Sequence, residues 1–385
     1  MNERDILFGL HELPGIGWKT IEAMVAAKAL KHAANRDADA LRSAGIEEGK
    51  AARMVRELTR EWIEERKERY RKLGYRVICR YDPEYPALLA ETPWPPWVLY
   101  VRGDVKWLAS RLSFAVVGTR TPTQYGRKTA ETLSRKLAEH GWCVVSGMAR
   151  GIDTAAHRGA LSAGGTIAVL GTPPDRVYPP ENVRLLEAIA ESGVIVTEYP
   201  LGTKPHPGLF PRRNRIIAGL ALGTLVVEGS ASSGALITAD YALEASRDVF
   251  AVPGPITWPQ SAGPNALIRQ GAKLVTGVED ILEEYVHMIN LQNGGSSPAA
   301  AQGVTPRPGK PVRPHDAPAG TSWSEAAHLN PDERSVLAHI AAEPVSVDEL
   351  QRRSRLDFGH LHSILLSLTM KKQIEQLPGF LYIRS

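Results

Sequence analysis

Apolar positions change their spacing along this chain, and each change predicts a different architecture. Up to about residue 75 they recur at helical intervals around the break Leu13-Pro14-Gly15-Ile16-Gly17: Ile6, Leu7 and Leu10 before it, Ile21, Met24 and Val25 after it. Two helices about that glycine turn form a helix-hairpin-helix pattern. A charged helix is expected from Arg53 to Lys72, stopped by Gly74. The stretch Tyr81 to Tyr100 holds five prolines together with Trp94 and Trp97, which predicts an extended packing strap. From Leu112 onward short β-rich runs alternate with helices. The runs are 114–117, 142–145, 166–170, 194–197, 224–227, 249–252 and 273–275. Helices fall at about 125–140, 153–163, 181–192, 212–221, 235–246 and 264–271. Runs that are apolar at every position suit strands covered on both faces. The pattern predicts an α/β fold on a doubly wound, mostly parallel sheet.

Residues 292–321 break the pattern with six Pro, five Gly and no Leu, Ile or Phe. Such a segment buries too little apolar surface to offset its ordering entropy, and it reads as a flexible tether. Beyond it, helices at 332–342, 346–353 and 358–371 and a β-hairpin within 374–383 resemble a winged helix, with 358–371 as its recognition helix. Residues 328–385 hold seven Lys/Arg against seven Asp/Glu, so this block lacks the basic footprint of a strong duplex binder. The expected organisation is a helical domain at 1–75, a connector at 76–111, a sheet domain at 112–290, a linker at 291–327 and a winged-helix-like domain at 328–385.

Charge and cysteine usage narrow the function classes. Lys+Arg of 46 against Asp+Glu of 42 gives a net charge of only +4, which excludes a histone-like polycation but leaves room for a local basic patch. Cys79 and Cys143 are far apart and form neither a disulfide framework nor a metal-binding pair, so no metal or other cofactor is expected. The charged start Glu3-Arg4-Asp5 leaves no run suited to a secretory signal. The longest nearly apolar stretch, Ile216 to Val227, is 12 residues and too short to span a bilayer. The expectation is a soluble cytoplasmic protein with no membrane partner.

In a doubly wound sheet, ligands bind beyond the carboxyl ends of the strands. The loops expected there are Gly118-Thr119-Arg120, Ser146-Gly147-Met148-Ala149-Arg150, the run into Phe210-Pro211-Arg212-Arg213-Asn214-Arg215, and the run from Glu228 to Ser233-Gly234. Small residues let a ligand approach the backbone, and helix N-termini offer N–H groups to an anion. Arg120, Arg150, Arg212, Arg213 and Arg215 add five guanidinium groups, whose fork geometry matches phosphate. Neither a P-loop nor a Gly-x-Gly-x-x-Gly turn is present, which argues against ATP hydrolysis.

Catalytic groups do not assemble. Asp153 and His157 sit four residues apart and suit an acid/base pair, but the alanines between them favour a helix cap and a buried, hydrogen-bonded histidine. Ser233 and Thr238 have no base in view, which leaves them helix capping or phosphate contact. Glu198 and Glu228 suit acid/base work and arginine-holding equally. Phe210 and Tyr178 are candidate stacking platforms, and Phe210 reads equally as a hydrophobic staple.

Six motifs carry a resemblance: Gly118-Thr-Arg120, Ser146-Gly-x-Ala-x-Gly-Ile-Asp153-x-Ala-Ala-His157, Phe210-Pro-x-Arg213-Asn214-Arg215-Ile-Ile-Ala-Gly219, Ser233-Gly-Ala-Leu-Ile-Thr238-Ala, Val252-Pro-Gly254 and Gly263-x-Asn265-x-Leu-Ile268-x-x-Gly271-Ala. In that order they resemble the DprA (Smf) DNA-processing family. The resemblance implies an extended Rossmann-like domain, non-enzymatic, that binds single-stranded DNA and delivers it to the RecA recombinase in natural transformation. It implies a homodimer, and it places Arg120, Arg213, Asn214 and Arg215 on DNA. One motif departs from the family pattern. Where the family pattern is similar to Tyr-Pro-Lys-x-Asn, this chain has Tyr178-Pro179-Pro180-Glu181-Asn182, so either affinity is lower or Arg176 or Arg184 substitutes, with Arg184, one helical step away, favoured. The competing readings are a related Rossmann-like enzyme hydrolysing nucleoside monophosphates, whose Pro-Gly-Gly-x-Gly-Thr-x-x-Glu motif is absent, and a nucleotide-sensing regulator acting through the winged helix. For the N-terminal glycine turn, with Glu12 beside it and Lys19 the only nearby base, a packing role is favoured over DNA contact.

Overall fold

The structure is a computed structural model and describes residues 1–110, 112–204, 206–287, 331–340, 345–354, 356, 361, 364, 365, 368, 373–377 and 381–384. The chain divides into two compact units, 1–301 and 302–385. Six helices open the first unit: α1 (Glu3–Glu12), α2 (Trp18–Ala26), α3 (Leu30–Ala34), α4 (Ala38–Ser43), α5 (Glu48–Glu57) and α6 (Arg60–Lys72). The turn between α1 and α2 uses Gly15 at φ +82°, and Arg53 Nη1 donates to the Pro14 carbonyl at 2.5 Å. The one helix expected from Arg53 to Lys72 is in fact two. Leu58 is fully buried, and Thr59 in extended backbone turns its hydroxyl to accept the Trp62 N–H at 3.2 Å, so a new helix starts there.

The remaining elements of this unit follow in order. They are β1 (Arg76–Cys79), α7 (Ala87–Ala90), β2 (Val98–Gly103), β3 (Ser113–Val117), α8 (Gln124–Glu139), β4 (Cys143–Ser146), α9 (Ile152–Leu161), β5 (Thr166–Val169), α10 (Val183–Ser192), β6 (Val194–Thr197), α11 (Leu209–Gly219), β7 (Gly223–Val226), α12 (Gly234–Glu244), β8 (Asp248–Ala251), α13 (Ala262–Arg269), β9 (Lys273–Leu274) and α14 (Glu279–Leu282). Each of the seven expected runs forms a strand. Helix α11 begins three residues earlier than expected, because Pro211 falls in its first turn, where its missing N–H would have no partner anyway. The stretch expected as a strap also corrects: its end forms β2, which with β1 just ahead of the stretch extends the sheet. The prolines that mask the pattern all precede β2, leaving its N–H groups free to pair, and Val98 to Val101 are buried on both faces.

The nine strands lie in the order β1-β2-β6-β5-β4-β3-β7-β8-β9. From β6 to β9 all neighbours are parallel, whereas β2 pairs antiparallel with β6 (Tyr100 opposite Thr197) and with β1. The result is an extended Rossmann-like α/β sheet. From β3 the chain steps to β4 in one direction, and from β7 to β8 in the other. The carboxyl edge therefore splits between β3 and β7, the switch point where a crevice must open. One face is covered over an aromatic cluster of Phe114, Trp142, Phe250 and Tyr285. The opposite face carries α11 and α12 over Val117, Val145, Val226 and their neighbours.

The opening helices share one core with the β2–β6 end of the sheet, through Phe8, Tyr70, Trp97, Tyr100 and Ile195. At its centre Glu12 is buried. It accepts the hydroxyls of Tyr70 (2.5 Å) and Tyr100 and pairs with Arg66 at 3.2 Å, while Tyr70 Oη accepts the Leu201 N–H at 2.8 Å. The two tyrosine rings stack at 4.3 Å. Burial raises the pKa of Glu12, opposed by the two tyrosine hydrogen bonds and then by Arg66.

The second unit contains helices Pro331–Leu337 and Val347–Ser354 and a sheet of Val345–Ser346, Ile374–Leu377 and Leu381–Arg384, with Leu381–Arg384 in the middle. Leu350, Leu361, Leu365, Leu368 and Ile374 are in its core. Most of the expected recognition helix at 358–371 lies outside the described residues, as does the expected tether at 292–321. Among the described residues, no helix is long and apolar enough to cross a membrane.

Glu12→Ala is expected to lower unfolding stability by about 3 kcal/mol, because it strands Arg66 and two buried hydroxyls. Urea denaturation followed by tryptophan fluorescence measures it, and a loss near zero contradicts the network's role.

Candidate nucleic-acid interface

A crevice of about 410 Å³ opens at the β3–β7 split. The loop after β3 supplies Gly118, Thr119 and Arg120, the first turns of α11 supply Phe210, Arg213 and Asn214, and the start of α12 supplies Ser233 and Gly234. Ser233 caps α12, its hydroxyl accepting the Ala235 N–H at 3.3 Å. Thr119 Oγ1 accepts the Thr121 N–H at 3.2 Å and shapes the first loop. Ser146 is buried below the rim, where its hydroxyl donates to the Val116 carbonyl at 2.7 Å and ties β4 to β3.

Arg213 is 4% exposed and forms part of the crevice floor. Nη1 donates to the carbonyls of Gly147 (2.5 Å) and Val169, at the ends of β4 and β5, and Nε donates to Asn214 Oδ1 at 3.3 Å. Burial lowers its pKa to about 10, with Asp153 opposing, so it stays charged at neutral pH. Gly147 is required here, since a Cβ at that position would lie 2.6 Å from Nη2 of Arg213. Asn214 Nδ2 reaches the Gly234 carbonyl at 3.3 Å and joins α11 to the α12 lip.

Two positions further along α11, Arg215 turns to the opposite side, because residues i and i+2 of a helix do not share a face. It pairs with Glu198 at 2.5 Å in a nearly buried contact outside the crevice. Arg212 is exposed and lies outside the lining. Arg184 is exposed on α10 and also lies outside it.

Arg120 is the exposed cation at the lip. Its guanidinium lies 5.8 Å over the Phe210 ring, and no carboxylate among the described residues pairs with it. The Phe210 ring meets Tyr178 at 5.2 Å, and Tyr178 is 46% exposed. Phe210 is half-buried: it packs against Gly171 and also lines the crevice. Beside these rings a recess of about 130 Å³ is lined by Arg120, Gly147, Arg150, Tyr178, Phe210 and Arg213. Arg150 forks onto Glu181, a pairing that loop spacing does not reveal because the partners are 31 positions apart.

The acidic candidates and His157 are engaged, while Thr238 is buried beside Ser233 in the lining of the crevice. Asp153 lies inside α9 rather than capping it. Its Oδ2 accepts the N–H groups of Gly147 (3.2 Å) and Ala149 (3.3 Å), which fixes the loop under Arg213. Glu228 accepts the Thr123 N–H (2.9 Å) and hydroxyl (2.6 Å) at the start of α8, and Glu198 holds Arg215. His157 is fully buried. Thr166 Oγ1 donates to the Val144 carbonyl (2.6 Å), so it must accept from His157 Nδ1 (2.8 Å), which places the proton on Nδ1. Burial, with Arg213 adding to it, drives this imidazole's pKa down to about 3. Among the described residues no group of His, Cys, Asp or Glu could hold a metal.

Comparisons with known proteins identify the family. A family model described as DNA recombination-mediator protein A matches residues 76–286. The chain belongs to the DprA/Smf family. A second family model, the DprA winged helix domain, matches residues 320–379. Protein Smf of Synechocystis is 38% identical over 312 residues, 79% of this chain and 78% of that protein. DNA processing protein DprA of Bacillus subtilis is 43% identical over 216 residues, 56% of this chain and 73% of that one. The X-ray structure of DNA processing protein A from Streptococcus pneumoniae aligns with a TM-score of 0.64 at 34% identity, covering 74% of this chain and 98% of that one. A Helicobacter pylori DNA processing protein A, whose structure is described for its single-stranded DNA binding mode, aligns with a TM-score of 0.51 at 30% identity over 56% of this chain and 96% of that one.

The His157 resonances are expected to stay in the neutral form from pH 7 to about pH 4 in an NMR titration. The unfolded chain takes up this proton below about pH 6.5 and the folded core does not. Stability is therefore full above that pH and is lost as the pH falls toward 3. A midpoint near 6.5 in the folded protein contradicts the assignment.

Proposed function

We propose that this chain is a single-stranded-DNA-binding recombination mediator that protects incoming DNA and loads the RecA recombinase onto it. It acts without catalytic turnover, as a homodimer in the cytoplasm, in natural transformation. The observation that carries this reading is the Arg120 guanidinium, without a carboxylate partner among the described residues, over Phe210 at the mouth of a crevice floored by Arg213. The Helicobacter pylori relative, with its described single-stranded DNA binding mode, supports the choice of ligand. Engagement of Asp153, Glu198, Glu228 and His157 in backbone or side-chain bonds supports a binding role over acid/base chemistry.

Two terms supply the affinity. Phosphates neutralised at Arg120 and along the lip release counterions, which gives sequence-independent, salt-dependent binding. Bases stack on Phe210, Tyr178 and the guanidinium plane, each stack contributing about 1–3 kcal/mol in single-strand binders. Bases locked in a duplex present no free face to these rings, so paired DNA loses the second term.

Fluorescence anisotropy of labelled oligothymidine over a salt series tests the reading. Arg120→Ala should weaken binding and flatten the slope of log K against log salt by about 0.7, the share of one single-strand phosphate. Arg213→Ala should lose both affinity and roughly 1–3 kcal/mol of stability, because two buried carbonyls lose their donor. Duplex affinity equal to that of oligothymidine, wild-type behaviour in Arg120→Ala, or turnover releasing base from a nucleoside monophosphate contradicts the reading. For the recombinase, the chain should speed RecA filament formation on oligothymidine at limiting RecA, and sedimentation should report a dimer.

A further inference from the structure

Arg150 and Glu181 face each other from two loops whose separation is fixed by other bonds. Arg150 follows β4, and Glu181 stands in the single turn Pro180–Asn182 ahead of α10. The next residue, Asn182, is 3% exposed, and its Nδ2 donates to the Met148 carbonyl at 3.0 Å and to Thr154 Oγ1 at 2.9 Å. Thr154 Oγ1 in turn donates to the Ala149 carbonyl at 2.7 Å. These three bonds rivet the backbone beside both partners. The carboxylate thus meets the guanidinium along one edge, Nε with Oε1 and Nη2 with Oε2 at 3.2 Å. The pair itself is open to solvent, with side chains 58% and 48% exposed, and Arg150 lines the recess beside Arg120, Tyr178 and Phe210.

A carboxylate that forks onto a guanidinium occupies the edge that would take two phosphate oxygens. An exposed pair of this kind is weak, so a strand already held nearby can displace it. Building on the reading of the crevice as a DNA site, we propose that Arg150 is a second phosphate subsite for the bound strand and that Glu181 covers it. The phosphodiester that reaches Arg150 must first turn Glu181 out. Glu181 therefore sets the affinity for an unpaired strand from outside the crevice floor, and it does so by standing in for the ligand.

The test is Glu181→Gln, which keeps the size and removes the charge at a surface position. Labelled oligothymidine should bind the variant more tightly by up to about fivefold, the scale of an exposed ion pair. In the double variant Glu181→Gln, Arg150→Ala that gain should vanish. Unchanged affinity in Glu181→Gln overturns the proposal. So does a gain that persists in the double variant, since it would report only the loss of one negative charge. Wild-type binding that is insensitive to Arg120→Ala would sink the crevice reading instead, and absence of binding by every variant would sink both.

Discussion

Burying a guanidinium is costly unless oxygen meets it on its donor edges. Arg213 satisfies that demand with the carbonyls of Gly147 and Val169 and with the Asn214 side chain, while Asp153 lies close enough to oppose the pKa fall. Those partners sit at the ends of β4 and β5 and on α11 itself. The charge therefore locks α11 to the carboxyl edge of the sheet at one angle. That angle sets Phe210 at the mouth, Asn214 toward the α12 lip and Arg215 toward Glu198. The crevice is the space left when this lock closes over the β3–β7 split.

Around this lock the arginines differ in their surroundings. Arg213 is a buried, hydrogen-bonded floor, Arg120 rests on a ring with no carboxylate partner among the described residues, and Arg150 is covered by a carboxylate. Graded availability of this kind fits the proposed role of holding a polyanion and then handing it on. A site built from equally free cations would grip the strand through every phosphate and release it slowly.

Much of the fold was legible because strands β3 to β8 are apolar at nearly every position and sit between helices with clear 3.6-residue periodicity. The antiparallel edge was not, because prolines ahead of β2 disguise a strand whose own residues, Val98 to Val101, fit the rule. Nor was the break at Thr59, where a single hydroxyl ends one helix and starts another. The loops at the carboxyl edge were legible from the switch-point rule alone, and the buried, bonded state of His157 from the alanines that precede it on its helix. The division among five rim arginines was not. It depends on Glu181 and Glu198, whose partners stand 31 and 17 positions away, distances at which spacing carries no information. Asn182, the rivet between the β4 loop and α10, carried no sign of its partners Met148 and Thr154, which stand 34 and 28 positions away.

The central claim is that an unpaired strand lies in the β3–β7 crevice, and amide hydrogen exchange with and without oligothymidine tests it most directly. Slowed exchange is expected on adding the strand at residues 118–121, 147–151 and 230–235, with the helices of 1–75 unchanged. Unaltered exchange in those three loops under saturating oligothymidine, or protection confined to another surface, would contradict it.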